Sequence, residues 1–290
     1  MDFYAGLTRP PVAADPSDTF GTVTLAQDLQ PGEETIVQAS WAPPHTGSYD
    51  LYGWVDRNAN LFPESDYTNN ITGALRTCTY ATDGQSFSDV PTGVYFYTPV
   101  EYLVCLGIVS GYNDGTFRPY NNTTRQQFMK MVTLGMGWPI VTPTPAGAHS
   151  FADMPTDSVF FPLVETTYAH GAVSGYACGG VNPASGAAEP CDAQQRPYFR
   201  PGNLVTRGQI AKILVVAKAW EQLNPTTPQF TDVPTTSAFY KFVETAYAKG
   251  ILGGYTTAAQ CPSGVPCFLP GNNATRGQIS KMVYYTITQR

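Results

Sequence analysis

The sequence predicts a multidomain chain: an all-β segment over residues 1–79, then an all-α region in which one helical unit is written three times. Three observations carry this reading. Three stretches open alike, at Phe87-Ser88-Asp89-Val90-Pro91, Phe151-Ala152-Asp153-Met154-Pro155 and Phe230-Thr231-Asp232-Val233-Pro234. Each opening is followed by an aromatic pair, apolar residues at helical spacing, a Gly-Tyr, a Phe-Arg-Pro or Phe-Leu-Pro, a Thr-Arg and a second helical stripe. Residues 1–79 instead alternate apolar and polar residues and are rich in β-formers.

In chain order, strands are predicted at 22–25, 36–41, 49–55 and 71–78, with breaks at Pro31-Gly32 and Pro43-Pro44. About four strands is few for a β-sandwich, where seven is usual. Residues 80–86 read as a short polar linker, and the copies occupy 80–146, 147–224 and 225–290. The first helix of the second copy has Phe161, Val164 and Tyr168 on one face, and Tyr240, Val243 and Tyr247 repeat this in the third. The second helices carry Phe128, Met131 and Val132, then Ile210, Ile213 and Leu214, then Ile279, Met282 and Val283. Gly107, Gly171 and Gly250 follow the first helices, where a left-handed C-cap belongs.

The chain has 290 residues, of which 13% are charged, about half the usual ~25%. Its net charge of -6 and sparse Lys argue against nucleic acid as a partner. Such a polar, weakly charged surface is common outside the cell. No apolar run approaches the ~20 residues of a membrane helix. Met1-Asp2-Phe3-Tyr4 lacks the basic and apolar stretches of a signal peptide, so any export signal is expected to lie upstream or to have been removed.

Six cysteines point to an oxidising compartment, the alternative being buried free thiols. Cys178 and Cys191 bracket one loop, Cys261 and Cys267 bracket another, and Cys78 and Cys105 remain, which reads as three disulfides. The first copy has only Asn113-Asp114-Gly115-Thr116 after its Gly-Tyr, whereas the second and third carry inserts at 177–198 and 256–267 that hold the bracketing pairs. A crosslink over the 178–191 loop is worth on the order of 3 kcal/mol. There is no CxxC and only three His, which disfavours a zinc site. Asp56, Asn58, Asn60, Glu64 and Asp66 are spaced somewhat like a calcium loop, but the Gly and the twelfth-position Glu of that motif are missing, and an ordinary polar turn competes. No cofactor is expected.

The recurring Thr-Arg is the most informative motif. Thr124 with Gln127, Thr206 with Gln209 and Thr275 with Gln278 have capping-box spacing, each cap worth ~1 kcal/mol. Capping does not account for Arg125, Arg207 and Arg276, which place a cation at the positive end of a helix dipole. A helix N-terminus with free N–H groups beside a guanidinium would suit a carboxylate or phosphate. An internal salt bridge to Asp89, Asp153 or Asp232 of a neighbouring copy is the competing reading. Glu101, Glu165 and Glu244 recur with these Asp, but three equivalent hydrolase sites would be odd, and no nucleophile elbow, phosphate loop or dinucleotide fingerprint is present. No enzymatic activity is expected.

The repeats, over about 85–290, resemble the S-layer homology (SLH) family in the Phe-x-Asp-Val-Pro openings, Gly107-Ile108-Val109-Ser110-Gly111-Tyr112, Asp114-Gly115-Thr116-Phe117-Arg118-Pro119 and the Thr-Arg pairs. The resemblance implies a three-lobed, pseudo-threefold helical bundle that binds cell-wall polymers in grooves between copies. It implies that Arg125, Arg207 and Arg276, with Asp89, Asp153 and Asp232, belong to the ligand sites. The family's Ala-Glu after Thr-Arg is Gln-Gln or Gly-Gln here, so the cap is kept and the acid lost. The N-terminal segment resembles the C-terminal part of a CARDB domain, an Ig-like adhesion-related sandwich. The carrying residues are Leu29-Gln30-Pro31-Gly32-Glu33, Ser40-Trp41-Ala42-Pro43, Gly47-Ser48-Tyr49, Val55-Asp56 and Glu64-Ser65-Asp66-Tyr67-Thr68-Asn69-Asn70. The family's first strands are missing, which implies an incomplete sheet.

Together these imply an extracellular bacterial surface protein held non-covalently on an acidic envelope glycan. Two other readings stay open: a structural subunit of an S-layer or filament that self-associates, and the anchor fragment of a longer secreted enzyme.

Overall fold

The computed structural model describes residues 2–5, 19–22, 24, 37, 47–55, 75–79, 85–141 and 149–289. The chain divides into two compact units, Met1–Gly84 and Gln85–Arg290.

The first unit is a four-stranded antiparallel sheet of β1 (Asp2–Ala5), β2 (Thr19–Thr22), β3 (Gly47–Trp54) and β4 (Leu75–Thr79), in the order β2-β1-β3-β4. β1 is a strand that periodicity did not reveal. It is four residues long, and alternation over so short a run carries little signal. It is nonetheless internal to the sheet, with Tyr4 opposite Tyr52, both buried, and the Tyr4 ring against Trp54. β2 begins three residues before the stretch assigned to it, and β3 and β4 lie close to theirs. The strand predicted at 36–41 lies outside the described residues, apart from Val37, as do the calcium-like positions 56–66 and most residues that carry the CARDB resemblance. Among the described residues there is one sheet in this unit, not the two of a sandwich.

The second unit holds α1 (Tyr97–Cys105), α2 (Arg125–Gly135), α3 (Phe161–Ala169), α4 (Arg207–Ala217), α5 (Tyr240–Ala248) and α6 (Arg276–Thr288), with a small hairpin, β5 (Gly180–Val181) and β6 (Ala188–Glu189). The apolar stripe of every second helix is buried in one continuous core. Tyr168 and Tyr247, at the ends of their stripes, stay partly exposed and meet Phe151 and Phe230 edge-on. Gly107, Gly171 and Gly250 end the first helices at φ +70°, +70° and +69°.

The helices do not pair within a copy. α2 packs on α3, α4 on α5 and α6 on α1, so each lobe joins the second helix of one copy to the first helix of the next. At the centre three backbone hydrogen bonds close a ring: Val205 N–H donates to Thr123 O, Ala274 N–H to Val205 O and Thr123 N–H to Ala274 O. All three residues are buried.

Candidate functional site: three grooves between copies

Each copy builds the same turn. The opening Phe packs on the Phe of the later Phe-x-Pro, with ring centroids 5.3, 5.2 and 5.5 Å apart for Phe87–Phe117, Phe151–Phe199 and Phe230–Phe268. The residue after that second Phe is left-handed: Arg118, Arg200 and Leu269 have φ 58°, 60° and 57°. A side chain there is strained by about 1–2 kcal/mol, and the opening Asp supplies the restraint. Asp89 accepts from Phe117 N–H and Arg118 N–H, Asp153 from Phe199 and Arg200, and Asp232 from Phe268 and Leu269, all at 2.6–2.7 Å.

The Thr-Arg motif then joins copies. Thr124, Thr206 and Thr275 cap their helices, and Gln127, Gln209 and Gln278 return the reciprocal bond, so all three capping boxes are formed. The helix N–H groups are not free for a ligand, contrary to the sequence expectation. Arg125 N–H donates to Asn203 O and Gln126 N–H to Pro201 O; the pairs are Asn272 and Pro270 for α4, and Asn121 and Pro119 for α6. Carbonyls of the neighbouring copy already fill the anion position.

The guanidinium follows the same direction. Nε of Arg125, Arg207 and Arg276 donates to the carbonyls of Phe199, Phe268 and Phe117, at 2.9, 2.7 and 2.8 Å. Nη2 of Arg207 and Arg276 reaches Gly253 O and Ser110 O, whereas Arg125 turns Nη1 toward Gln209 Oε1 at 3.4 Å. Each guanidinium also lies 4.3–5.3 Å from the Tyr and Phe rings of that neighbouring copy. Burial pushes all three pKa values below the ordinary arginine value, although an arginine in a protein stays charged. The Arg and Asp are thus brought to one turn but not into contact as ion pairs. Among the described residues no salt bridge joins them; the Asp fixes the Phe turn, and the Arg bonds the carbonyl that the turn presents.

Three grooves result. The first lies between Arg276 and the 108–112 loop, a cavity of about 170 Å³ that Gln127, Lys130 and Phe160 also line. The second lies between Arg125 and the 171–176 loop, a cavity of about 220 Å³ that Gln209, Lys212 and Phe239 also line. Around Arg207 the matching groups are Gly253, Tyr255, Gln278, Lys281 and Phe96. Arg and Lys are the charged residues lining the first two cavities; no carboxylate does so among the described residues. Sequence inspection did not single out Lys130, Lys212 and Lys281. Their signal was available, since each stands six residues after its capping Thr.

A second cation faces two of the groove tyrosines. Arg118 lies 3.9 Å over Tyr112 and pairs with Asp114, and Arg200 lies 3.9 Å over Tyr176 and pairs with Glu189 of the hairpin. The Cys178–Cys191 disulfide ties that hairpin, and Cys261–Cys267 ties the insert of the third copy. The expected Cys78–Cys105 pair involves the Cys78 side chain, which lies outside the described ones. Glu101 and Glu165 accept from the backbone and hydroxyl of Ser86 and Ser150, and Glu244 from Gln229 N–H, so these buried acids clamp the entry to each copy. The described residues hold no cluster of metal-ligating side chains and no helix long and apolar enough to cross a membrane.

The Asp114 carboxyl is held down to about 2 by the Thr116 hydroxyl, then by Arg118 and the Thr116 N–H. Its folded pKa lies below the ordinary 3.8, so its contribution is present above that value and is lost as pH falls through about 2. A carboxylate NMR titration is expected to find the Asp114 midpoint near 2 and not near 3.8.

No curated protein matches the chain. The family model of the S-layer homology domain matches residues 86–129 and 229–279, so the chain carries S-layer homology domain sequence in its first and third copies.

Proposed function

We propose that the chain anchors a surface protein non-covalently to an acidic polysaccharide of a bacterial cell envelope, with the middle copy acting as a third SLH repeat. The observation that carries this is the lining of the grooves. A chain of net charge -6 concentrates Arg and Lys, without acids among the described residues, in cavities of about 170 and 220 Å³. That size suits one or two sugar residues carrying a negative group. The anchor is non-catalytic in this reading, and the recurring acids belong to its scaffold. The β unit acts as an Ig-like spacer or adhesive part.

A single charge-assisted contact is worth about 1.5–3 kcal/mol, so each groove alone binds weakly. Several grooves on one rigid body gain by avidity on a repetitive polymer. The test uses the full chain and wall polysaccharide prepared from sacculi. Lys130→Gln with Lys212→Gln removes one cation from each of two grooves, where neither ammonium has an ion-pair partner among the described residues. Affinity is expected to fall about tenfold or more at low salt, with a shallower dependence on salt. Unchanged affinity would sink the groove reading, and ordered assembly of purified protein without wall material would favour an S-layer or filament subunit instead.

A further inference from the structure

The three grooves differ in one concerted way. The left-handed turn residue that stacks on the groove tyrosine is Arg118 in the first copy and Arg200 in the second, but Leu269 in the third. The third groove therefore has one guanidinium, that of Arg207, against Tyr255, where Tyr112 and Tyr176 each have two, the second of them held by a carboxylate, Asp114 or Glu189. The same groove gains aromatic surface. Tyr95 stands where the other copies have Val159 and Ala238, Tyr120 where they have Gly202 and Gly271, and Tyr285 where they have Leu134 and Val216. The rings of Tyr95 and Tyr120 both meet the buried Phe96 edge-on, at 4.9 and 5.7 Å, and Lys281 reaches across Tyr95 and Tyr285 at 5.3 and 5.9 Å. Tyr95 is 56% exposed, Tyr120 71% and Tyr285 37%, so these rings are displayed and not spent on the core.

We infer that the third groove is a tyrosine platform that takes the uncharged pyranose rings of the glycan chain, while the first two grooves take its acidic groups. A pyranose has an apolar C–H face and a rim of hydroxyls. An exposed tyrosine offers the matching pair, a π face and a phenol that donates and accepts. Each of the three positions that gains a ring gains a tyrosine, so every added π face comes with a phenol, while Leu269 takes a guanidinium away. Partial burial, with the nearby Tyr255 and Tyr120, raises the Tyr95 pKa above the ordinary tyrosine value.

This inference rests on the anchoring reading and is separable from it by salt. The full chain is titrated with wall polysaccharide from sacculi in low salt and in roughly 1 M salt, where the screening length is about 3 Å. Tyr95→Ala with Tyr120→Gly installs the residues of the third copy at exposed positions, and an unchanged melting curve confirms the fold. In high salt the double variant is expected to bind about tenfold more weakly than the wild type, because stacking survives screening while the ion pairs do not. Wild-type and variant affinities that agree in high salt would overturn the platform and leave anchoring intact. So would a variant that alters self-association while its glycan affinity holds. Failure of the wild type to bind at either salt would remove the anchoring reading and the platform with it.

Discussion

Gly254→Ala is expected to melt the helical unit well below the wild type, while Gly253→Ala, one residue earlier, leaves the melt nearly unchanged. A methyl group at Gly254 would overlap the Phe230 ring and lie 2.5 Å from the Cys267 carbonyl oxygen; at Gly253 it meets nothing within 4 Å. Phe230 cannot retreat, because it is buried between Phe268 and Tyr247. The carbonyl cannot retreat either, since it receives Tyr255 N–H. Overpacking of this kind costs about 3 kcal/mol, roughly 6–12 °C for a unit of this size. Thermal denaturation followed by circular dichroism checks the contrast. Similar melts for the two variants would mean that the Gly-Tyr turn does not sit against its opening Phe.

Arg207→Ala is expected to destabilise the unit by about 3 kcal/mol in urea unfolding, before any effect on binding. It deletes the bonds to Phe268 O and Gly253 O, leaves those carbonyls without a donor, and opens a void beneath the Tyr255 and Phe268 rings. Arg207→Lys is expected to recover less than half, because an ammonium lacks the planar fork that meets two carbonyls at once. An alanine variant as stable as the wild type would show that the residue serves the ligand alone. For this reason the groove lysines, and not the arginines, are the cleaner probes of binding.

What could be read from the residues was whatever depends on near neighbours. Helical periodicity located the apolar stripes, and Thr-x-x-Gln located the caps, since both sets of partners lie within one or two turns. The job of the arginine was not legible, because its acceptors lie 61 to 159 residues away on another copy. The same holds for the aspartates, whose acceptor role depends on a turn 28 to 47 residues downstream. From charge, a salt bridge between the two competed with anion binding, and backbone groups took both partners instead. Helix pairing across copies was hidden for a related reason: an amphipathic stripe shows that a face is buried but not against which helix. Lys130, Lys212 and Lys281 were legible in principle, by fixed offset from the Thr, and required only that the offset be counted.

The closed trio of hydrogen bonds among Thr123, Val205 and Ala274 also bears on how the unit is born. Two of its links join neighbouring copies, but Thr123 to Ala274 joins the first to the last, as does Arg276 to Phe117. Closing so long a loop adds little to the equilibrium cost, which grows only with the logarithm of length. The search for it is slow, because rates fall with the sequence separation of contacts. A nascent chain that stops before α6 lacks the helix on which α1 packs, lacks Arg276 for the first groove, and lacks Gln278 and Lys281 for the third. Two of the three grooves therefore come into being together, in the last step of a single cooperative closure, and not one by one as the copies leave the ribosome.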